Sequence, residues 1–111
     1  MESDKSKTFF ELDIRVGKII KAEVFEEAIK PAYKLNIDFG KDIGIKKTSA
    51  QITNYEIGEL YEKLCIAVVN LGNKQIGPFV SECLVLGSIT DNGDVLLIQP
   101  SSNAKLGDRI S

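Results

Sequence analysis

The sequence predicts a small all-β barrel, and three observations carry that prediction. Five or six short segments are rich in β-branched and aromatic residues, one helix-compatible segment stands between the third and the fourth, and strands do not alternate with helices. A chain of 111 residues that is 43% hydrophobic can bury one core. We therefore expect a single domain over residues 1–111.

The N-terminal segment predicts a short helix. Residues 1–7 are polar, and we expect them to be frayed. Residues 8–11, Thr-Phe-Phe-Glu, have capping-box spacing, which would start a helical turn at Thr8, and Gly17 is suited to end it. An apolar start on so small a chain would cover either the core or a second subunit.

Three extended segments follow in the first half of the chain. Residues 18–25 are rich in β-branched and aromatic side chains, which indicates a strand. Residues 33–39 alternate strictly between apolar and polar, so the odd-numbered positions are expected to face inward. After a turn at residues 40–42, residues 43–52 form the third segment.

The next stretch contains the predicted helix and the predicted central strand. Residues 54–63 are short, acidic and compatible with a helix. Residues 64–71 are almost continuously apolar, which is typical of a strand at the centre of a core. Residues 72–79 contain Gly, Pro and Lys and are expected to form a loop.

The C-terminal third predicts a hairpin. Residues 81–89 are extended, and Asn-Gly within residues 91–94 favours the positive φ angles of a tight turn. Residues 95–99 would complete the hairpin, and residues 106–110 would add one short extended piece.

These elements favour the OB-fold. This is a five-stranded, partly open Greek-key barrel, here with a short N-terminal helix and a short helical segment between strands three and four. A small β-sandwich is the alternative architecture that the same pattern allows.

Several kinds of chemistry are disfavoured by residues that the sequence lacks. It has no His and only two cysteines, Cys65 and Cys83, so nucleophile–His pairs and four-ligand zinc sites cannot be built from it. No glycine pattern for dinucleotides or nucleoside triphosphates occurs. We expect a binding protein that is not an enzyme and has no cofactor and no metal.

Charge and hydropathy bound the partners and the compartment. Fourteen basic and sixteen acidic residues give a net charge of −2, which is unlike a strongly electrostatic nucleic-acid binder. The longest apolar run, residues 64–69, is far too short to span a membrane, and residues 1–7 lack the apolar core of a secretory signal. A cytoplasmic protein without membrane insertion is expected.

Several motifs together resemble the tRNA-binding OB-domain family, which also occurs at the end of some methionyl- and phenylalanyl-tRNA synthetases. Asp13-Ile-Arg-Val-Gly-Lys-Ile19 is similar to the family's opening signature. Residues 66–71, Ile-Ala-Val-Val-Asn-Leu, resemble its central strand, and residues 74–82 resemble its basic loop and Ser-Glu pair.

One branch of that family, the CsaA-type export-related chaperones, resembles the chain over three further stretches, namely residues 31–40, 44–53 and 81–87. Two positions depart from the tRNA-binding members. Residues 26–31 lack the His-Pro-Asp pattern, and Leu84 stands where those members carry Met. The resemblance to the family covers residues 9–111.

The resemblance implies a homodimer that holds apolar segments of unfolded preproteins, with the export machinery as a further partner. A structure-specific tRNA binder that uses the same face is the alternative, and a purely structural assembly subunit is a third. The residues expected to line the peptide- or tRNA-binding groove are Tyr33, Lys34, Ile45, Lys46, Lys47, Gln51, Asn70, Lys74, Phe79, Ser81 and Leu84.

Each of these side chains also has a simpler explanation. The apolar ones could be core, and the lysines could be solvated strand and loop positions. Phe79 is harder to bury because it follows Gly-Pro in a predicted loop. The residues expected at the dimer interface are Phe9, Phe10, Leu12, Leu106 and Ile110.

Overall fold

A computed structural model describes residues 4–111, which contain two helices and nine strands. The helices are α1 (Asp4–Glu11) and α2 (Ile57–Leu60). The strands are β1 (Ile14–Val24), β2 (Tyr33–Asp38), β3 (Ile45–Ala50), β4 (Leu64–Val68), β5 (Lys74–Ile76), β6 (Phe79–Ser81), β7 (Leu84–Val85), β8 (Gly87–Ile89) and β9 (Val95–Leu97).

Five strands form one antiparallel sheet in the order β3-β2-β1-β4-β7. The sheet curls into a nearly closed barrel, and α2 lies between β3 and β4 in the chain. The β5–β6 and β8–β9 pairs are separate hairpins. This architecture confirms the predicted OB-fold, and the sandwich alternative is wrong because a single five-stranded sheet curls on itself to enclose the core.

β1 is long enough to pair with two different strands, one on each side. Its first part pairs with β4 and its second part with β2, and the register shifts between Ile19 and Lys21. A β-bulge of this kind increases the local bend of a strand. Gly17 lies at the inner face, where an added Cβ would stand 2.5 Å from Ile37 and 2.7 Å from Phe39.

The core fills the barrel and has a small satellite. Within β2, Tyr33, Leu35 and Ile37 are buried, and Phe39 follows them, which confirms the predicted alternation. Leu60 of α2 is fully buried and plugs one end of this cluster. A second, smaller cluster is formed by the buried residues Ile14, Ile66 and Val68.

The N-terminal helix differs from the prediction at both ends. It begins at Asp4, so the structure makes residues 4–7 helical, whereas residues 1–3 lie outside the described part of the chain. Thr8 therefore lies inside the helix, where its side chain cannot cap the start. Gly17 is not a helix stop, because β1 has already begun at Ile14 and needs a residue without a Cβ at that position.

The predicted loop over residues 72–79 is also wrong. Ile76 pairs with Phe79, so Gly77 and Pro78 form a two-residue turn between β5 and β6. The φ angle of +58° at Gly77 makes this tight turn accessible. The predicted hairpin near Asn92 is confirmed, with Gly93 at φ +92° and Ile89 paired with Val95.

Candidate functional site

The barrel is closed by a short seam between β3 and β7. The Lys47 N–H donates to Glu82 Oε1 at 2.9 Å, and the Glu82 N–H donates to the Lys47 carbonyl at 2.8 Å. The Thr48 hydroxyl donates to the Cys83 carbonyl at 2.6 Å, which leaves the Ser81 hydroxyl to donate to Thr48 Oγ1 at 2.8 Å. Thr48 and Ser81 are both buried, so this end of the seam is a satisfied polar node.

Beyond that node the seam opens into a groove of about 820 Å³. Its walls come from β3, β7, β9, the β1–β2 loop and the β4–β5 connection. Most of the lining is apolar, and within residues 4–111 its charged side chains are Lys30 and Lys74 alone. The lining includes Phe25, Ser49, Ala50, Gln51, Leu71, Cys83, Leu84 and Val85.

An aromatic pair with two lysines stands beside the groove. The rings of Phe25 and Phe79 are 5.3 Å apart and tilted by 58°. Lys34 Nζ lies 5.5 Å from the Phe25 ring centre, and Lys47 Nζ lies 5.4 Å from that of Phe79. Each distance is within cation–π range, so the ring faces are already partly covered by cations. Lys34 is further held near Glu23 at 3.9 Å.

The structure brings four predicted groove residues directly onto the lining, namely Gln51, Lys74, Ser81 and Leu84. Lys34, Lys47 and Phe79 form the aromatic–lysine cluster next to it.

Four predicted residues lie elsewhere. Tyr33 is buried in the core and its hydroxyl donates to the Tyr55 carbonyl at 2.8 Å, because the alternation of β2 turns it inward. Ile45 and Lys46 stand at the start of β3, off the groove lining. Asn70 accepts from the Asp13 N–H at 2.7 Å and donates to the Glu11 carbonyl at 2.9 Å, so it fastens α1 to β1.

Sequence reasoning missed the groove residues that come from separate edges of the sheet. Ser49 and Val85 lie on opposite sides of the seam, and neither carries a side chain that signals binding. Ile29 and Lys30 project from the β1–β2 loop. The only available signal was that the Gly-containing residues 72–79 directly follow the apolar strand predicted over residues 64–71. That signal does not identify any of these groove positions.

Four of the five predicted dimer residues lie where α1 meets the C-terminal segment. Phe9 and Phe10 are exposed and touch edge to face at 5.3 Å. Leu12 and Ile110 pack on the satellite core, whereas Leu106 lies close to Gly40. The Arg109 guanidinium donates to the Phe10 carbonyl at 3.3 Å. The backbone of Arg109 also forms an isolated antiparallel β-bridge with that of Arg15.

The two thiols are held neutral by their surroundings. Burial raises the pKa of Cys65 to about 12 and that of Cys83 to about 11, the latter partly offset by the hydrogen bond from Thr48. Both cysteines are free. A neutral thiol is a weak nucleophile, so Cys83 is suited to contact a ligand and poorly suited to attack one.

Across residues 4–111 no helix is long and apolar enough to cross a membrane. In the same range, His, Cys, Asp and Glu side chains nowhere gather in threes in a way that could hold a metal ion.

Comparison with known proteins gives one family and several close structures. A family model described as "Putative tRNA binding domain" matches residues 14–109. The CsaA chaperone protein from Picrophilus torridus is 52% identical, with 100% of both chains covered and a TM-score of 0.92. CsaA from Bacillus anthracis is 43% identical, with 100% of this chain and 99% of that one covered and a TM-score of 0.90.

The curated relatives are much longer proteins. The methionine–tRNA ligase of Pyrococcus horikoshii is 34% identical over 99% of this chain, which spans 15% of that ligase. The match to the CsaA structures therefore runs end to end, and the match to the ligases covers a small part of each.

Proposed function

We propose that this chain, which belongs to the tRNA-binding domain family and matches two CsaA structures over its whole length, is a chaperone that holds extended apolar segments of unfolded proteins. The groove between β3 and β7 is the observation that carries this proposal. In this proposal the clients are preproteins bound for export. The protein works in the cytoplasm as one domain, without catalysis or a cofactor, and hands its clients to the export machinery.

The groove has the properties that holding many different sequences requires. Leu84 and Leu71 offer exposed apolar surface, and Gln51 and Ser49 offer polar groups at its edge. Apolar contact gives affinity that tolerates sequence change, and polar edges can bind the peptide backbone that all clients share.

The second candidate function is binding of structured tRNA. The aromatic–lysine cluster of Phe25, Phe79, Lys34 and Lys47 favours it, because aromatic faces stack on bases and lysines meet phosphates. Against it stand the net charge of −2 and a groove with two cations on its lining.

The experiment that separates the two is a pair of fluorescence-anisotropy titrations, with a labelled unfolded preprotein segment and with labelled total tRNA, each at two salt concentrations. We expect micromolar preprotein binding that tolerates salt. Tight tRNA binding that collapses with salt, without preprotein binding, would overturn the chaperone proposal in favour of the second candidate.

A matched pair of variants locates the site. Leu84 and Leu96 are similarly exposed, at 49% and 47%, but Leu84 lines the groove and Leu96 does not. Leu84→Glu should weaken preprotein binding at least tenfold, because a charge would have to be desolvated against the apolar client. Leu96→Glu should leave the affinity within twofold, and equal losses in both variants would place the site elsewhere.

We also propose that the protein is a homodimer built on the exposed pair Phe9 and Phe10, with Leu12, Leu106 and Ile110 beside it. Exposed aromatic pairs of this kind are common at subunit contacts. Phe10→Asp should give monomers at micromolar concentration by light scattering, whereas Ile89→Asp, at an exposed site far along the chain, should not. An unchanged dimer mass for Phe10→Asp would reject this interface.

A further inference from the structure

The open part of the seam exposes the backbone edge of β3. The Phe39 N–H donates to the Gly44 carbonyl at 3.0 Å, which makes this residue pair a hydrogen-bonded one in the β2–β3 ladder. Hydrogen-bonded pairs recur at every second residue of an antiparallel ladder, so Lys47 and Ser49 turn their backbone groups away from β2. The N–H and carbonyl of Lys47 are bound by Glu82. By the same alternation those of Ser49 face the open part of the seam, where the carbonyl lies 3.3 Å from the Thr48 hydroxyl and keeps a lone pair for a second hydrogen bond.

The facing strand is arranged in the same way. The Leu86 N–H donates to the Ile66 carbonyl at 2.9 Å, and Leu84 is opposite Val68 two residues earlier. The same alternation turns the backbone of Val85 away from β4 and toward the seam. Ser49 and Val85 both line the groove, so its floor is bordered by two strand edges.

The two edges are unequal as templates for a further strand. β3 has six residues, and Gln51, the next position with the parity of Ser49, also lines the groove. β7 has two residues, and its exposed backbone is limited to Val85. An extended segment placed in the groove would therefore find its longer run of backbone partners along β3.

The charge of the lining indicates which extended segment fits. Lys30 and Lys74 are the charged side chains of the groove within residues 4–111, so the lining carries two positive charges and no carboxylate. An apolar segment that contains an acidic residue complements this lining, whereas a segment that contains Lys or Arg is repelled by it.

We propose that the groove binds an extended apolar peptide with an acidic residue as an added strand on the β3 edge, paired with the backbone of Ser49 and held by Lys30 and Lys74. The proposal rests on the chaperone function proposed above and specifies how a client is held. Added-strand binding uses main-chain hydrogen bonds for affinity, which makes recognition independent of most side chains.

Backbone methylation of a peptide tests this pairing. The probe is a fluorescein-labelled peptide of about ten residues with alternating Val and Ser and one Asp near its C-terminus, used at nanomolar concentration. Two variants carry N-methyl groups at either the odd or the even interior positions. Because alternate N–H groups of an added strand face its template, one variant should lose about tenfold in affinity and the other should bind within about twofold.

A second experiment tests the preference for a peptide with an acidic residue. Changing the Asp of the probe to Asn should weaken binding several-fold, and Lys30→Gln combined with Lys74→Gln should abolish that difference. Lys41→Gln, in the exposed β2–β3 turn outside the lining, should preserve it.

The outcomes separate this proposal from the function on which it rests. Equal binding of both methylated variants, equal losses in both, or equal binding of the Asp and Asn probes would overturn the added-strand proposal while preprotein binding stands. Failure of the unmodified probe where the unfolded preprotein binds would have the same meaning. If neither the probe nor the preprotein binds and tRNA does, both proposals fail.

Discussion

The two ends of the seam between β3 and β7 treat the unpaired backbone edge of β3 in opposite ways. At the closed end, Lys47 and Thr48 of β3 find hydrogen-bond partners in Glu82, Ser81 and Cys83. At the open end, Ser49 and Val85 direct backbone groups into a groove lined by apolar side chains. The edge of β3 is thus completed by hydrogen bonds over one stretch, and the next stretch borders the groove in which we propose that a client binds.

The difference between the closed and the open end lies in the residues that follow β6. Glu82 supplies both a backbone N–H and a carboxylate to Lys47, and it can do so because it does not belong to a regular strand. Two residues later the chain enters β7, which pairs with β4 and no longer reaches β3 by hydrogen bonds of its own ladder. The edge of β3 is closed by a few polar contacts at Lys47 and is open at Ser49, two residues further along.

The largest effect at the closed end is expected from Thr48→Val. This change keeps the shape of the side chain but removes the hydroxyl that bonds both Cys83 and Ser81, so that these two buried groups keep only the long contact of 3.4 Å between the Ser81 hydroxyl and the Cys83 carbonyl. The free energy of unfolding should fall by about 1–3 kcal/mol, measured by urea denaturation. Thr53→Val, at an exposed position, should change it by less than about 0.5 kcal/mol. Similar losses for both would contradict the closed-end account.

Glu82→Ala should have a smaller effect. It removes the carboxylate that accepts from the Lys47 N–H but keeps the backbone bond from Glu82 to the Lys47 carbonyl. Because the Glu82 side chain is only half-buried, we expect a loss of about 1 kcal/mol in the same assay. Glu26→Ala, which is exposed in the β1–β2 loop, is the matched control and should be close to neutral. A neutral Glu82→Ala would show that the seam is held by the Thr48 node alone.

The smallest effect concerns the thiols, where no change in fold is expected. With its pKa near 11 against an ordinary 9.0, Cys83 should react with iodoacetamide at neutral pH at least about tenfold more slowly than a free thiol, because the smaller thiolate fraction outweighs the greater nucleophilicity of a thiolate of higher pKa. The rate should rise about tenfold per pH unit up to that pKa, and saturating preprotein should slow it further because Cys83 lines the groove. Mass spectrometry of Cys83→Ala, which reports Cys65 alone, separates the two sites.

The same pKa values determine how the thiols make the free energy of unfolding depend on pH. Since both folded pKa values lie above 9.0, the unfolded chain loses its thiol protons first as the pH rises. This contribution is therefore fully present below pH 9 and is lost between about pH 9 and 12. Alkylation of Cys83 at pH 7 as fast as that of a free thiol would contradict its raised pKa. A rate that saturating preprotein leaves unchanged would contradict the placement of Cys83 in the groove wall.

The sequence predicted the elements that depend on local pattern. The strict alternation over residues 33–39 identified β2 and its buried face, and Asn-Gly identified the β8–β9 turn. The β5–β6 hairpin was missed because Gly77 and Pro78 also suit a loop, and the pairing that makes them a turn is between residues on either side.

The site was predictable only in part, because residue type does not give direction. Leu84, Gln51 and Lys74 were found through their resemblance to a family, and they do line the groove. Asn70 has the same polar character but fastens α1 to β1. Ser49 and Val85 could not be found, because in the proposed site they act through their backbone, and they line one groove only where the two edges of the sheet meet.

The most direct test of the open seam compares two neighbouring amides by hydrogen exchange, read out by NMR with and without saturating unfolded preprotein segment. The N–H of Lys47 is bound by Glu82 and should be protected in both states. The N–H of Ser49 should exchange rapidly in the free protein and gain at least tenfold protection with the preprotein bound. Unchanged exchange at Ser49 in the saturated complex would contradict the account of the groove as a peptide-binding edge.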